Sequence, residues 1–378
     1  MDMKFSNWLM RIGSQLVTWW TRPRNVGLGM MRWCGLVLVG ALSSGFVLQL
    51  QAGSDFKVLF STAEGAPAAI LYAVSALAGL GFFVGGVIAW QAHRQETHLR
   101  GISRILVAEL RGLVDTSDRP LTQAVPVNLT GRIEDCLVDV RQQLAGTQDV
   151  PAALHELGAL ATQVRRARGG TAREHVSVVV GGVLQVPLLF YAGVLLDDEG
   201  RVEHMDWDRI SGRWRQLDEA DDGSRFQVTG LQAAARPEAV LAVSASYLVD
   251  LDGVKQTFPD LPLVHLERPN AKPNTLWSAD GQAALTAQFL DTLVELQNRG
   301  VKTVHLVLAA SASLALRMGR VYDPKNHLTL RCYEWKRGHV PAYPWSVQMP
   351  TASTAVRYLP TTPPPAEAAD EPVVPALA

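Results

Sequence analysis

The chain is poor in charge. Asp, Glu, Lys and Arg make up 19% of its 378 residues, against 48% hydrophobic residues. Its net charge of −1 gives no global electrostatic drive toward nucleic acid or acidic lipid, so any anion binding has to be local. Cysteine is scarce. Cys34, Cys136 and Cys332 lie far apart and fit neither a disulfide framework nor a zinc spacing; they read as buried thiols in a reducing compartment. Catalytic signatures are missing as well. There is no nucleophile elbow, no phosphate-loop lysine motif and no HExxH. The nine histidines are scattered, and His93 and His98, five apart, share a helix face poorly. The acidic clusters Asp197–Glu199 and Asp221–Asp222 flank glycine and read as solvated turns. Nothing assembles an acid–base pair, so the chain is not expected to be an enzyme.

Charge is absent altogether from two runs, Trp33 to Leu50 and Ala66 to Ala92. Spanning a bilayer takes about 20 apolar residues, so the two runs predict a transmembrane hairpin over residues 30–92. Basic residues flank the pair: Lys4, Arg11, Arg22, Arg24 and Arg32 before it, Arg94, Arg100, Arg104 and Arg111 after it. The connecting loop holds only Lys57, beside Asp55 and Glu64. The positive-inside rule then places both termini in the cytoplasm. No ionisable residue in either span argues against a proton relay or a selective ion path. Gly81-Phe-Phe-Val-Gly85 is a GxxxG pattern, which lets helix backbones approach closely and suits self-association; glycine is also common in membrane helices at large. Ahead of the hairpin, Phe5, Trp8, Leu9, Ile12, Leu16, Trp19 and Trp20 recur at helical spacing. Residues 1–24 are therefore expected to form an amphipathic helix lying in the headgroup region, or one packed on the soluble domain.

Behind the hairpin, Leu99, Ile102, Ile105, Leu106, Leu110 and Leu113 form one apolar stripe that predicts a helical connector over 93–118. Strands and helices then alternate. Strands are expected at Val125–Leu129, Val176–Val180, Ala239–Val249 and Val301–Leu308, and helices at Ile133–Leu144, Ala152–Arg166 and Ala279–Arg299. The strands are nearly continuous apolar runs, as in a sheet covered on both faces. Residues 359–378 are Pro, Ala and acid, which cannot build a core and predict a disordered tail.

An internal repeat organises the soluble part. The strand ending in Gly181-Gly182 leads into a short apolar segment, Gly193, and a second strand closing on Asp206-Trp-Asp-Arg209. The strand ending in Ala309-Ala310 leads into Ser311-Ala-Ser-Leu-Ala315, Gly319, and a strand closing on Glu334-Trp-Lys-Arg337. Two related α/β halves about a pseudo-twofold are implied. In an open α/β sheet, ligands sit beyond the carboxyl ends of the strands, and N–H groups at a helix start favour anions. The candidate ligand-binding residues follow: Gly181, Gly182, Gln185, Ala310, Ser311 and Ser313 at the strand–helix turns; Ser244, Ser246 and Tyr247 on the Ala239–Val249 strand; Arg317 one turn into the next helix; Trp277, Tyr333 and Trp335 for stacking, with Trp207 and Trp214 as further surfaces. Each has a plain alternative. Ser311 and Ser313 can cap a helix, Ser244 and Ser246 can satisfy local backbone, and the tryptophans can be core.

The block from Val301 through Trp345 resembles the SAVED domain. The resemblance rests on Val307-Leu-Ala-Ala-Ser-Ala-Ser-Leu-Ala315, Gly319, Tyr333-Glu334 and Tyr343-Pro-Trp345, and reaches from about Arg119 to Pro350. The sequence departs from the family pattern in having Ser311 where proline is most frequent and in a Tyr343 segment one residue short. The resemblance implies a membrane-anchored α/β protein: two N-terminal transmembrane helices and a SAVED-like sensor domain over 119–358, built from two CARF-like, Rossmann-like halves of about 119–230 and 231–358. It further implies an effector of CBASS antiphage defence in the bacterial inner membrane. Such an effector binds a cyclic di-, tri- or tetranucleotide made by a partner CD-NTase nucleotidyltransferase, self-associates on binding, and disrupts the bilayer in abortive infection. It implies no metal or cofactor and no binding of duplex nucleic acid. A membrane-bound enzyme that cleaves its cyclic nucleotide, and a nucleotide-regulated transporter or scaffold, are the alternatives.

Overall fold

The structure is a computed structural model that describes residues 26–45, 47–51, 57–61, 68–146, 148–234 and 236–361. It divides into two compact units, Met1–Gly101 and Ile102–Ala378. The expected interfacial helix over 1–24 and the tail beyond residue 361 lie outside the described residues.

In the first unit, α1 (Val26–Gly45) is followed by a small antiparallel pair, β1 (Val47–Gln51) and β2 (Lys57–Ser61), and then by α2 (Ala68–Ile102). This corrects the sequence expectation for the first span. The helix begins earlier, includes Arg32, and stops at Gly45; Val47–Leu50, counted in the apolar run, is strand. At 1.5 Å per residue, the 20 residues of α1 reach about 30 Å. Within α2, Ala73–Arg94 is long and apolar enough to cross a bilayer, whereas the apolar part of α1, Val26–Gly40, is shorter. The two helices cross on glycine. A Cβ on Gly85 would lie 2.8 Å from the Gly27 carbonyl oxygen, and one on Gly81 would lie 2.6 Å from Cys34 Sγ. The GxxxG face is therefore engaged by α1 of the same chain, a close approach that only residues without a Cβ permit.

The second unit opens with a correction. The apolar stripe read as a helical connector over 93–118 switches period: α2 ends at Ile102 and β3 (Arg104–Arg111) follows, buried along nearly its whole length. Ile105-Leu-Val-Ala108 is a continuous apolar run, which suits a central strand as well as a helix face. The expected strand at Val125–Leu129 is a turn. The expected helix at Ile133–Leu144 is β4 (Arg132–Asp135), β5 (Val138–Asp139) and one helical turn, α3 (Arg141–Leu144). Then come α4 (Val150–Gly158), α5 (Leu160–Arg168), β6 (Val176–Val183), α6 (Val186–Leu195), β7 (Arg201–Asp208) and β8 (Arg213–Gln216). Strand order is β4-β3-β6-β7-β8, with β5 also on β3. All neighbours are parallel except β7 and β8.

The second sheet repeats this plan. Its elements are β9 (Gln227–Thr229), β10 (Glu238–Ser244), α7 (Leu251–Thr257), β11 (Leu263–Glu267), α8 (Ala279–Asn298), β12 (Thr303–Ala309), α9 (Ala312–Val321), β13 (Thr329–Glu334), β14 (Trp345–Gln348) and β15 (Arg357–Pro360). Its order is β15-β14-β13-β12-β10-β11-β9. The stretch β11-β10-β12-β13-β14 matches β4-β3-β6-β7-β8 strand for strand, with the last pair antiparallel in both. Leu359 and Pro360, assigned to the disordered tail by composition, pair with Ser346 and Trp345 in β15. One core runs through both sheets, from Leu106 and Val178 to Leu306 and Val347, with α6 and α9 between them. Gly193 of α6 and Gly319 of α9 lie backbone to backbone at that crossing.

Candidate functional site

The carboxyl ends of β6, β10 and β12 open on one recess of about 70 Å³. Gly182, Val183, Leu184, Val186 and Leu189 line it from the first half. Ser246, Tyr247, Ala310, Ser311 and Ala312 line it from the second. Trp207 near the end of β7, Arg209 just past it, and Asn274, Leu276 and Trp277, just before α8, complete the wall. Among the described residues lining it, Arg209 is the one cation and Asp206 the one acid. The starts of α6 and α9 thus meet the same space from opposite halves, so two sets of helix-start N–H groups favour an anion there.

The backbone around the recess is tightly tied. β10 stops at Ser244, earlier than the expected Val249, because the chain turns there: the N–H groups of Ala245, Ser246 and Tyr247 all donate to the Ala309 carbonyl, at 3.0, 3.0 and 3.3 Å. The Ser246 hydroxyl accepts from the Ser311 N–H at 3.0 Å. Trp277 is fixed on two sides. Its indole N–H donates to the Asn274 carbonyl at 2.9 Å, and the Arg215 guanidinium lies 4.4 Å from its ring centre.

Seven of the thirteen residues chosen from sequence stand apart from the recess lining, while Gly182, Ser246, Tyr247, Trp277, Ala310 and Ser311 belong to it. A Cβ on Gly181 would meet the Trp214 ring, so this glycine serves packing on the opposite sheet face. Gln185 is buried at the start of α6, with its side-chain oxygen unpartnered. Ser244 is 1% exposed; its hydroxyl lies 2.9 Å from His265 Nε2 and accepts from the Val249 N–H. Arg317 points toward a different neighbourhood, beside His204, Arg320 and Glu203, where burial lowers its affinity for the proton. Tyr333 packs on Phe258, and its hydroxyl meets His305 Nδ1 at 2.8 Å. Trp335 is half-exposed and donates toward Asp250 at 3.4 Å. Of the acidic clusters, Asp197, Asp198, Asp221 and Asp222 are exposed, as the solvated-turn reading expects, although Asp222 also pairs with buried Arg268 at 2.8 Å; Glu199 departs from it, buried within 3.6 Å of Arg168.

Ser313 is fully buried and acts through its partners. Its hydroxyl donates to Asp206 Oδ2 at 2.6 Å and accepts from Gln282 Nε2 at 2.8 Å. Asp206 also faces the Ser313 N–H at 3.4 Å, so a carboxylate from β7 of one half sits on the start of α9 in the other. Burial pushes its pKa up, against the hydrogen bonds from Ser313 and Ser311. The repeat has the mirror contact. Glu334, at the end of β13, faces the Val186 N–H at the start of α6, and burial pushes its pKa up to about 8. Asp206, Arg209 and Asn274 escaped the sequence-based site. The acid-Trp-x-Arg ending was visible in both repeats but marked only symmetry. Asn274 holds a left-handed φ of 56°, which gave no pattern in the sequence. Among the described residues no group of His, Cys, Asp and Glu could hold a metal.

Two α/β halves with a shared recess at their strand ends define a CARF-like sensor architecture. The chain belongs to the SAVED family: residues 160–349 match the model of the SMODS-associated and fused to various effectors sensor domain. Residues 6–154 match the SAVED-fused 2TM effector domain, which makes this a membrane protein. The chain matches no protein of curated function. Among solved structures it is similar to a Cap4 SAVED/CARF-domain containing receptor of Acinetobacter baumannii with the cyclic trinucleotide 2'3'3'-cAAA, at 13% identity and a TM-score of 0.43 over 76% of this chain and 60% of that one. It is also similar to the Cap4 receptor of Moraxella osloensis, at 12% identity and a TM-score of 0.42 over 76% of this chain and 59% of that one. The chain thus spans about 60% of the length of these receptors.

Proposed function

We propose that this protein is a CBASS effector whose SAVED domain senses a cyclic oligonucleotide and whose hairpin then disrupts the inner membrane, causing abortive infection. The observation that carries the reading is the convergence of two helix starts on one recess walled by Trp207, Tyr247 and Trp277. Helix starts suit phosphates, and aromatic faces suit bases. A ligand with several phosphates and bases can use both halves at once. The recess is smaller than ordinary ligand pockets of about 300–1,000 Å³, so the ligand opens it by moving the halves apart. That movement, transmitted through the α6–α9 crossing, is the trigger for self-association. The ligand is made by a CD-NTase partner, and both termini face the cytoplasm, where it is made. Because Gly81 and Gly85 are already packed on α1, copies are gathered by their sensor domains, which raises the local concentration of hairpins.

The rival enzymatic reading has one feature in its favour, a Ser244–His265–Glu267 row with Ser244 Oγ 2.9 Å and Glu267 Oε2 3.8 Å from the ring nitrogens. Ser244 is buried and its oxygen is held by the Val249 N–H, so it clamps a strand end and presents no nucleophile. Calorimetry of the full chain in detergent against cyclic di-, tri- and tetranucleotides tests the sensor. Dye release from phosphatidylethanolamine/phosphatidylglycerol vesicles tests the output. Binding without dye release sinks the effector reading, and recovery of a cleaved ligand after long incubation favours the rival.

A further inference from the structure

The turn between β7 and β8 is held from inside and from outside. Asp208 accepts from the Ile210 N–H at 2.9 Å and from the Ser211 hydroxyl at 2.7 Å. The Gly212 N–H returns to the Asp208 carbonyl at 2.8 Å, with Gly212 at a left-handed φ of 58°. Arg119 donates to the Ser211 carbonyl at 3.0 Å and to the Gly212 carbonyl. Arg119 is pinned in turn, because its carbonyl accepts from the Trp214 indole N–H at 3.0 Å. The residue that this turn contributes to the recess lining is Arg209. Arg209 is exposed, and among the described residues no hydrogen bond or ion pair holds it. Arg215 and Asp206 are engaged, by contrast. Arg215 lies over the Trp277 ring and pairs with Glu219. Asp206, the one acid of the lining, is held by the Ser313 hydroxyl at 2.6 Å and the Trp207 N–H at 2.9 Å.

We propose that Arg209 is the phosphate anchor of this site, and that the anchoring is one-sided, made by the first half alone. This rests on the reading of the recess as an anion site. A guanidinium presents a planar fork of N–H donors that matches a phosphate, and it keeps its charge at every physiological pH. A turn fixed before the ligand arrives lowers the ordering cost of binding. The helix starts sit in both halves and carry about half a charge each, so they hold an anion without choosing a side; a full charge on one half does choose. The mirror residue has no such place. Arg337 closes the second acid-Trp-x-Arg ending, but β14 follows only after residues 335–344, whereas β8 follows directly after residues 209–212. Trp335 and Arg337 stand outside the recess lining, with the Arg337 guanidinium 5.9 Å from the Trp335 ring centre. With a phosphate on Arg209, the ligand has Tyr247 and Trp277 of the second half for its bases.

The test compares the full chain in detergent with Arg209→Ala, Arg209→Lys and Arg337→Ala. Each is titrated with cyclic di-, tri- and tetranucleotides and with inorganic pyrophosphate, over a series of salt concentrations. Arg209→Ala should weaken binding by about tenfold or more, as the loss of a hydrogen bond to a charged group does. It should also reduce the slope of log affinity against log salt by about one, a readout that packing alone does not move. Arg209→Lys, which keeps a point charge on the same turn, should recover the slope and part of the affinity. Arg337→Ala should leave both unchanged. An Arg209→Ala chain that matches the parent in affinity and slope for every probe, shared failure to bind included, overturns the proposal, and an equal loss in Arg337→Ala overturns its one-sidedness. If pyrophosphate binds and is weakened by Arg209→Ala while no cyclic oligonucleotide binds the parent, the second-messenger reading falls and the anchor stands.

Discussion

Gly193 and Gly319 are each other's floor. A Cβ on Gly193 would overlap the Leu316 carbonyl oxygen of α9, and a Cβ on Gly319 would overlap the Phe190 carbonyl oxygen of α6. The two halves are therefore held at a backbone-to-backbone crossing beneath the recess. Gly193→Ala or Gly319→Ala is expected to destabilise the fold by about 1–3 kcal/mol, as overpacking does in a full core. The double variant should cost less than the sum, since the first methyl already forces the helices apart. Thermal denaturation of the full chain checks both statements.

Ser244 and Ser246 are two residues apart and do different work. Ser246 Oγ holds the Ser311 N–H at the recess, whereas Ser244 Oγ satisfies Val249 N–H behind it. Ser244→Ala should lower stability by about 1–3 kcal/mol, the cost of a buried donor left unpaired, and leave ligand affinity of the folded protein unchanged. Ser246→Ala should weaken cyclic oligonucleotide binding. Calorimetry and thermal melts of both variants give the contrast, and equal affinity losses would place Ser244 in the site.

Trp277 lines the recess and Trp335 does not. A base stacked on an aromatic side chain is worth about 1–3 kcal/mol, so Trp277→Ala should reduce affinity by roughly tenfold or more. Trp335→Ala should leave it within about twofold, as expected for a surface change away from contacts. The same calorimetric titration reads both.

Much of this was legible in the sequence, and the misses share a cause. The repeat gave the two halves, because glycine spacing and the acid-Trp-x-Arg endings survive without any knowledge of packing. Four of the residues chosen from sequence that line the recess, Gly182, Ser246, Ala310 and Ser311, are small residues at strand ends, whereas Tyr247 and Trp277 are aromatic. Tyr333 stands away from the recess because strand alternation sends its side chain to the opposite sheet face, among Val240, Ala242 and Phe258. Arg317 stands away from it because α9 turns its side chain toward Arg320, His204 and Glu203. The apolar run of β3 defeated the reading of 93–118, since a fully buried strand has no period of its own to show. Asn274 sits in a turn whose backbone sign no neighbour announces.

In the hairpin, Gly85 meets Gly27 and Met31 of α1. Gly85→Leu puts a branched side chain against that backbone, so the helices cannot keep their crossing. Ligand binding should persist while dye release from vesicles is lost. Loss of binding together with release would mean that the substitution damages the sensor too.

Glu334 gives the fold a pH dependence of calculable sign. Burial raises its pKa from an ordinary 4.5 to about 8, so between these values the folded chain holds a proton that the unfolded chain has released. Stability changes with pH in proportion to the protons bound by the unfolded state minus those bound by the folded state, and that difference is negative here. The contribution of Glu334 is therefore present in full below the unfolded value and declines as pH rises toward 8, after which it stays flat. Hydrogen bonding from the Val186 N–H acts the other way but is the smaller cause. Glu334→Gln carries no proton to lose. Its melting temperature should fall less than that of the parent between mildly acid and mildly alkaline buffer, and the two curves should run parallel beyond the Glu334 value. Curves parallel throughout would mean that the carboxyl is solvated in the fold and that the start of α6 is free of it.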